Sequence, residues 1–312
     1  MKADSALARL GVDVARTATE ARFSDGAHFR IEIPSVEGPR VLEAVLQAAE
    51  QRGIVVNRVS QGSGAMLLTN AELDEMAALG EDAGLEVSLF VGPREGFDVG
   101  AHARSADGAA HSGQARGVRG LRYAAEDVAR AAEAGIRSFL IADHGLLAVL
   151  VDMQAAGELP AEIIWKVSVL MAPSNPVSLV LLERLGASTA NIPSDVTLAQ
   201  IREFRAVSPM PLDLYVESPD SLGGVVRGNE LGDLVVSGAP LYAKFGLRNS
   251  KALYPSGEHL LADACAIAGE KVHRAAVALE WLDRLNPDLV QSAAGAAGLG
   301  IPRGTATAAP TH

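Results

Sequence analysis

Polar and apolar side chains alternate in several short segments of this sequence. The segment PLDLYVESP (211–219) is the clearest, because Asp213, Tyr215 and Glu217 alternate with aliphatic residues. A period of two places such polar residues together on one face of a strand. Carboxylates gathered on one face predict acid–base chemistry or the binding of a divalent metal. Asp213 lies deeper in its segment and equally fits a structural ion pair.

Two lysines occupy the same kind of position. Lys166 lies in IIWKVSVLM (163–171) and Lys244 lies in PLYAKFG (240–246), each flanked by apolar residues. A lysine that is desolvated or close to another cation loses its proton more easily and can then form a Schiff base with a carbonyl group. A lysine that stays protonated binds a carboxylate or a phosphate as a point charge. The sequence leaves both roles open.

The remaining candidates for chemistry lie near the ends of other β-rich segments. In HFRIEIPS (28–35), Arg30 comes early and predicts a structural ion pair, whereas Glu32 comes late and predicts a functional role. His144 stands where the segment RSFLIADHG (137–145) gives way to a loop. The predicted catalytic groups are Glu32, His144, Lys166 and Glu217. Of these, Glu32, His144 and Glu217 are also the candidate ligands of a divalent metal, which would be Mg²⁺, Mn²⁺ or Zn²⁺.

A second set of residues is predicted to bind the substrate. Arg94, Lys244 and Arg248 would provide an anion-binding pocket in a chain whose net charge is -11. The full predicted set is Gln61, Arg94, Asn191, Tyr215, Tyr242, Lys244 and Arg248. These residues suit a small substrate that carries a carboxylate or phosphate.

The elements that must position these side chains form a regular series. Short β-rich segments alternate with longer stretches in which apolar residues recur every three or four positions, which is typical of parallel βαβ units. Eight such units predict a single (β/α)₈ TIM barrel over 28–289, an α/β fold, in preference to an open doubly wound sheet. Residues 1–27 are interpreted as an N-terminal extension and 290–312 as a low-complexity tail, both disordered or loosely attached. The predicted strands are 28–35, 55–62, 86–94, 137–145, 163–171, 188–193, 211–219 and 240–246.

Signals at the ends of the elements refine this prediction. Gly53 is expected to end the first helix, and Asn70 is expected to cap the start of the second. The Gly- and Ala-rich segment 95–122 is long for a βα loop, which favours a mobile lid, with simple disorder as the alternative. His102 and His111 in that segment are expected to be exposed to solvent.

Composition and charge exclude several classes of function. The single cysteine, Cys265, excludes an internal disulfide and a cysteine-held iron–sulfur cluster. The acidic net charge argues against nucleic acid and anionic lipid as partners. No apolar stretch predicts a signal peptide or a membrane span, so a cytoplasmic protein is expected. A homo-oligomer is compatible with the sequence.

Four segments resemble a known family. FRIEIPSVEGP, VSQGSGAMLLT, PLDLYVESPDSLGGVVRG and PLYAKFGLRNSKALYPSGEHL look like bacterial TIM-barrel proteins classed with peptidase family U-32, the collagenase-like peptidases. The resemblance implies a barrel over about 28–285, a glutamate on the seventh strand and hydrolysis of an amide or peptide bond. The cysteine signature of the family is absent, and Cys265 matches no part of it.

Three functional hypotheses follow. The first is an intracellular enzyme that acts on a small anionic molecule or a peptide at the C-terminal mouth of the barrel, by acid–base or metal-assisted hydrolysis. The second is a Schiff-base lyase or aldolase that uses Lys166. The third is a non-catalytic ligand-binding barrel, since the fold alone does not decide the function.

Overall fold

The computed structural model describes residues 19–98 and 100–303, and these form a closed barrel of parallel strands in sequence order. Each strand is followed by a helix, so the predicted (β/α)₈ TIM barrel is confirmed. The strands are β1 (Phe29–Pro34), β2 (Arg58–Ser60), β3 (Glu86–Phe90), β4 (Ser138–Ile141), β5 (Ile164–Val167), β6 (Thr189–Asn191), β7 (Leu212–Glu217) and β8 (Leu241–Phe245). The helices are α1 (Pro39–Arg52), α2 (Asn70–Asp82), α3 (Gly117–Glu133), α4 (His144–Ala155), α5 (Pro176–Arg184), α6 (Leu198–Val207), α7 (Leu231–Gly238) and α8 (Leu261–Leu285).

The aliphatic residues of the alternating strands pack between the barrel and its helices. Ile31, Ile33, Leu212 and Leu214 are fully buried in this main core. Their polar neighbours in sequence therefore point into the barrel, as the period of two predicts. The observed strands are shorter than the predicted ones because their ends turn into loops. After β5, for example, the Ser168 side chain accepts a hydrogen bond from the backbone N–H of Leu170 and starts a 3₁₀ turn over Val169–Met171.

Helix ends follow the local sequence closely. Gly53 ends α1 with a left-handed φ of 64°, as predicted. The N-cap of α2 is Thr69, so the prediction of Asn70 was wrong by one residue. Thr69 Oγ1 accepts a hydrogen bond from Glu72 N, and Glu72 Oε2 accepts one from Thr69 N, which makes a capping box.

The tail closes the N-terminal end of the barrel. Ser292 Oγ accepts a hydrogen bond of 3.0 Å from Arg30 Nε, and the carbonyl of Ala297 accepts one of 2.6 Å from Arg30 NH2. Gly300 N donates to Glu86 Oε2 over 3.2 Å. The predicted disorder of the tail is therefore wrong for residues 290–303, while residues 1–18 and 304–312 lie outside the described residues.

The segment predicted as a lid is built from short turns. Three 3₁₀ turns, Glu95–Phe97, His102–Arg104 and Ala109–His111, precede α3. Backbone hydrogen bonds from Glu95 N to Gln114 O (2.8 Å) and from Gly96 N to Ser112 O (2.9 Å) join the two ends of the segment. The alternative of simple disorder is therefore wrong for the described part of it, and its motion as a lid stays a prediction. Within the described residues, no helix combines the length and apolarity that crossing a membrane requires.

Candidate functional site

Six charged side chains from six strands meet inside the barrel, and we call them the barrel charge cluster. They are buried almost completely from solvent. Ionised groups in such a place are unfavourable unless they are paired, and every member of this cluster has a partner of opposite charge. The members are Glu32 (β1), Arg58 (β2), Glu86 (β3), Lys166 (β5), Asp213 (β7) and Lys244 (β8).

Arg58 joins the three carboxylates of the cluster. Its Nε lies 2.7 Å from Glu86 Oε1, and its NH1 lies 2.6 Å from Asp213 Oδ1 and 3.3 Å from Glu32 Oε2. The guanidinium carbon also lies 3.4 Å from the centroid of the Tyr242 ring. The planar group of Arg58 thus fixes the spacing of the acids beneath the site.

Glu32 is the point at which both lysines meet. Lys166 Nζ donates to Glu32 Oε1, and Lys244 Nζ lies 3.3 Å from the same oxygen. Ser60 Oγ donates to that oxygen as well, over 2.7 Å. Burial alone would raise the pKa of Glu32, but the charges of Lys166, Lys244 and Arg58 outweigh burial and hold the pKa far below its ordinary range. Glu32 is therefore a carboxylate that holds cations and a weak base.

The two lysines differ in their tendency to lose a proton. Burial, reinforced by the charges of Lys244 and Arg58, lowers the pKa of Lys166 to about 7. Burial acts on Lys244 in the same sense, but Glu32 and its neighbours outweigh it and raise the pKa of Lys244. Because both amines contact one oxygen, they titrate as a coupled pair that holds one easily lost proton near neutral pH.

A cavity of about 660 Å³ opens above the cluster at the C-terminal ends of the strands. Ser60 and Lys244 belong to the lining of this cavity and also contact Glu32, so they form its floor. Tyr215 lines the cavity beside them, and its ring centroid lies 4.4 Å from Lys244 Nζ. Burial raises the pKa of Tyr215, so its hydroxyl is neutral at physiological pH.

The walls of the cavity are apolar with a few cations. Phe90, Phe97, Leu140 and Leu170 contribute apolar surface. The charged side chains of the lining are four cations and one acid, which is an excess of positive charge in an acidic protein. They are Arg94, Lys244, Lys251, Lys271 and Asp220.

The structure brings several of the predicted site residues together. Gln61, Arg94, Tyr215 and Lys244 line the cavity. Glu32 and Lys166 lie beneath the floor in the barrel charge cluster, where Lys166 is completely buried. Asn191 lies there too: its Oδ1 accepts a hydrogen bond of 2.7 Å from Lys244 Nζ, and its Nδ2 donates one of 2.7 Å to the carbonyl of Val167. Asn191 therefore orients Lys244 and does not line the cavity.

Two of the predicted catalytic residues lie elsewhere. His144 is the exposed first residue of α4, because β4 ends at Ile141 and the chain turns outward there. Its neighbour Asp143 is the N-cap and accepts a hydrogen bond of 2.7 Å from Leu146 N. Glu217 follows a register shift in β7 and contacts Arg248 N at 3.1 Å and Arg274 Nε at 3.8 Å.

The predicted metal site is therefore not assembled. Glu32 is engaged by two lysines, His144 is on the surface and Glu217 contacts an arginine of α8. Over residues 19–98 and 100–303, no group of three or more His, Cys, Asp or Glu side chains has the geometry to hold a metal ion. The donor set proposed from sequence does not fit a metal.

Two of the predicted substrate-binding residues are also displaced. Tyr242 lies at the bottom of the barrel, where its hydroxyl accepts a hydrogen bond of 2.9 Å from Arg30 NH1. Arg248 is 59% exposed and lies 3.7 Å from Asp220 Oδ1, outside the cavity lining. Alternation identifies which face a residue occupies but not its depth along the barrel, and this explains the error at Tyr242.

Lys271 is a cavity residue that was missed in the sequence. It lies on the buried face of α8, between Ala268 and Ala275 at helical spacing. A lysine that lies three residues after one buried apolar residue and four residues before another is the signal that would have identified it.

No protein-family model and no curated protein matches the chain. Among solved structures, it is similar to a U32 peptidase, at 18% identity over 62% of this chain and 70% of that one, with a TM-score of 0.38. It is also similar to the native KDPGal structure (10% identity, 83% and 99% covered, TM-score 0.46). A third is the carboxyl transferase domain of Rhizobium etli pyruvate carboxylase (10% identity, 86% and 49% covered, TM-score 0.45). Identities and TM-scores this low say nothing about the reaction.

Proposed function

We propose that this protein is a lyase that forms a Schiff base between Lys244 and a small anionic carbonyl compound. The observation that carries this proposal is the position of Lys244 Nζ, which lines the cavity and lies 3.3 Å from the same Glu32 oxygen that binds Lys166. A second ammonium group beside an amine favours loss of a proton from the pair. Glu32 joins this amine to Lys166, whose pKa of about 7 lets the pair lose one proton near neutral pH.

Of the two lysines, Lys244 is the one that a substrate bound in the cavity can reach. Lys166 is completely buried and is not part of the cavity lining, so a carbonyl compound in the cavity meets Lys244 first. The sequence-based hypothesis assigned the Schiff base to Lys166. In the present proposal Lys166 has a positioning role, because it binds the Glu32 oxygen that Lys244 also contacts and is the member of the pair that loses a proton more easily.

The reaction begins when the lone pair of neutral Lys244 attacks the carbonyl carbon. The carbon–oxygen π bond breaks, and the oxygen leaves as water after receiving one proton from the amine and one from a donor. The neutral Tyr215 hydroxyl in the cavity lining is the candidate donor. The Tyr215 phenolate then takes the proton of a hydroxyl group on the β carbon, the β carbon leaves as a carbonyl group, and the electron pair of the α–β carbon–carbon bond moves to the iminium group to give an enamine. The Tyr215 hydroxyl returns the proton to the α carbon, and addition of water releases the product and Lys244.

Hydrolysis by the predicted acids has less support from the geometry. Both oxygens of Glu32 are occupied, by Lys166, Lys244 and Ser60 on one side and by Arg58 on the other. A carboxylate held in this way does not readily accept a proton from water. His144 and Glu217, the other predicted groups, lie outside the cavity lining.

Reductive trapping tests the proposal. The protein is incubated with borohydride together with one carbonyl probe, either pyruvate or glyceraldehyde 3-phosphate, in separate reactions. Adducts are then located by peptide mass spectrometry. We expect one adduct with at least one probe, on Lys244, and no adduct in Lys244→Met. Lys251→Met is the matched control, since Lys251 also lines the cavity but is exposed and pairs with Asp263 at 2.5 Å. An adduct on Lys166 would overturn the assignment to Lys244. No adduct with either probe would overturn the lyase and leave a ligand-binding barrel.

A further inference from the structure

Two buried cations line the cavity without touching any acid. Arg94 follows β3 and is 7% exposed, and Lys271 lies on α8 and is 3% exposed. Among the residues that the structure describes, no carboxylate oxygen lies within 4.0 Å of a side-chain nitrogen of either residue. A buried cation is unfavourable unless an anion or several dipoles compensate it.

Arg94 is held in place with part of its guanidinium unused. NH2 donates to the carbonyl oxygens of Gly62 at 2.5 Å and Ser63 at 3.1 Å. The guanidinium carbon lies 3.8 Å from the ring centroid of Phe90 and 4.2 Å from that of Phe97. Within 19–98 and 100–303, neither Nε nor NH1 of Arg94 donates a hydrogen bond to another residue. These donors are available to a ligand oxygen.

Lys271 has a similar surplus of donors. Its Nζ donates to the carbonyl of Pro34 over 2.7 Å, which uses one of the three N–H groups. Burial lowers the pKa of Lys271 to about 8, against the attraction of Glu37. Glu37 is occupied by the backbone N–H groups of Gly62 and Ser63, each at 2.9 Å. The acid therefore supports the loop that Arg94 contacts and leaves both cations unpaired.

We propose that Arg94 and Lys271 form an oxyanion subsite, which binds the carboxylate or phosphate group of the substrate while its carbonyl group faces Lys244. That the bound anion belongs to the substrate of a lyase rests on the proposed function, whereas the existence of the subsite rests only on the two cations. A planar guanidinium with free N–H donors suits either oxyanion. The substrate would then carry its anionic group at one end and its carbonyl group at the other.

The subsite is tested in the Lys244→Met background, where the floor amine no longer binds an anion. Inorganic phosphate and acetate are titrated separately by isothermal titration calorimetry. We expect Lys244→Met to bind at least one of them, and we expect Lys244→Met/Arg94→Gln and Lys244→Met/Lys271→Met to bind it at least tenfold more weakly. Lys244→Met/Arg248→Met, at an exposed arginine outside the cavity lining, should bind as Lys244→Met does. Preference for phosphate or for acetate identifies the kind of anionic group.

Equal affinity in the single and double variants would overturn the subsite, as would the absence of binding to Lys244→Met. Arg94→Lys, which keeps the charge but loses the fork of donors, should give an intermediate affinity and guards against misfolding of Arg94→Gln. The two proposals fail separately. If no adduct is trapped on Lys244 but phosphate or acetate still binds, the lyase proposal is wrong and the subsite stands. If an adduct is trapped on Lys244 but neither anion binds, the subsite proposal alone is wrong.

Discussion

Lys166 influences the proposed chemistry through its charge. In the wild type, the coupled pair loses its first proton near the Lys166 pKa of about 7, so the rate of borohydride trapping on Lys244 should rise with pH through that value. In Lys166→Met the repulsion between the ammonium groups is lost while Glu32 remains 3.3 Å from Lys244. We expect the midpoint of the pH profile to move upward by at least about one unit. Lys251→Met should leave it in place, and a downward move in Lys166→Met would contradict this role.

Arg58 pairs with all three acids of the barrel charge cluster, more than either lysine does. Its replacement by Met leaves Glu86 and Asp213 buried with one strong partner fewer each. We expect Arg58→Met to lower the free energy of unfolding by about 3–5 kcal/mol, the range typical of a broken buried ion pair. Urea unfolding measures the change. Arg248→Met, at an exposed arginine, should stay within about 0.5 kcal/mol of the wild type, and a similar value for Arg58→Met would contradict the prediction.

At the scale of single residues, the alternation of polar and apolar side chains identified the charged interior of the barrel but not the residues that line the cavity. Glu32, Lys166 and Lys244 were found because each interrupts an apolar strand at period two. His144 was assigned to the site because a barrel strand was expected to reach it, but β4 ends three residues earlier. Lys271 was missed because the strands alone were searched for inward-facing groups.

At the scale of elements, the predicted strands and helices were right in order and type. Their ends depend on contacts that a single sequence does not display. In β7 the pairing passes from Tyr215–Lys244 to Glu217–Phe245, so one residue is skipped. This irregularity brings Glu217 close to Arg274 of α8. Glu217 therefore does not face inward with Asp213 and Tyr215, as the alternation predicted.

Two helical glycines provide a matched test of packing. A Cβ at Gly269 in α8 would meet no heavy atom within 4 Å, whereas a Cβ at Gly232 in α7 would lie 2.1 Å from Asn286 Oδ1. We expect Gly269→Ala to raise the free energy of unfolding by about 0.5–1 kcal/mol through helix propensity. Gly232→Ala should lower it by about 1–3 kcal/mol, the usual range for overpacking. Equal effects of the two changes in urea unfolding would contradict the packing described for α7.

At the scale of the whole molecule, the C-terminal segment completes the barrel. Asn57 Nδ2 donates to Ser292 O over 2.9 Å, and Arg30 and Glu86 also contact this segment. Removal of residues 290–312 should lower the free energy of unfolding by at least about 4 kcal/mol, since several hydrogen bonds of roughly 1 kcal/mol each are lost together with buried surface. A chain that ends at Arg303 keeps these contacts and is the control. Equal urea midpoints for the two chains would show that the segment is dispensable.

The low-complexity composition of the C-terminal segment gave no indication in the sequence that the segment closes the barrel. The segment closes the barrel largely through its backbone, since the carbonyls of Ala297 and Gly298 accept hydrogen bonds from Arg30. A Cβ at Gly300 would lie 2.8 Å from the carbonyl oxygen of Arg137, so the close approach requires a glycine. Small residues that make backbone contacts have the same composition as a disordered tail, and only the structure distinguishes the two.

The closure of the barrel also determines where other molecules can be joined to this one. Ser24 Oγ donates to Ala297 O over 3.1 Å, so the first and last described segments meet beneath the barrel, on the side opposite the cavity. A reporter domain or a solid support attached through either segment would leave the mouth of the barrel open to diffusion. Immobilised protein should therefore bind the anions of the proposed subsite as freely as protein in solution.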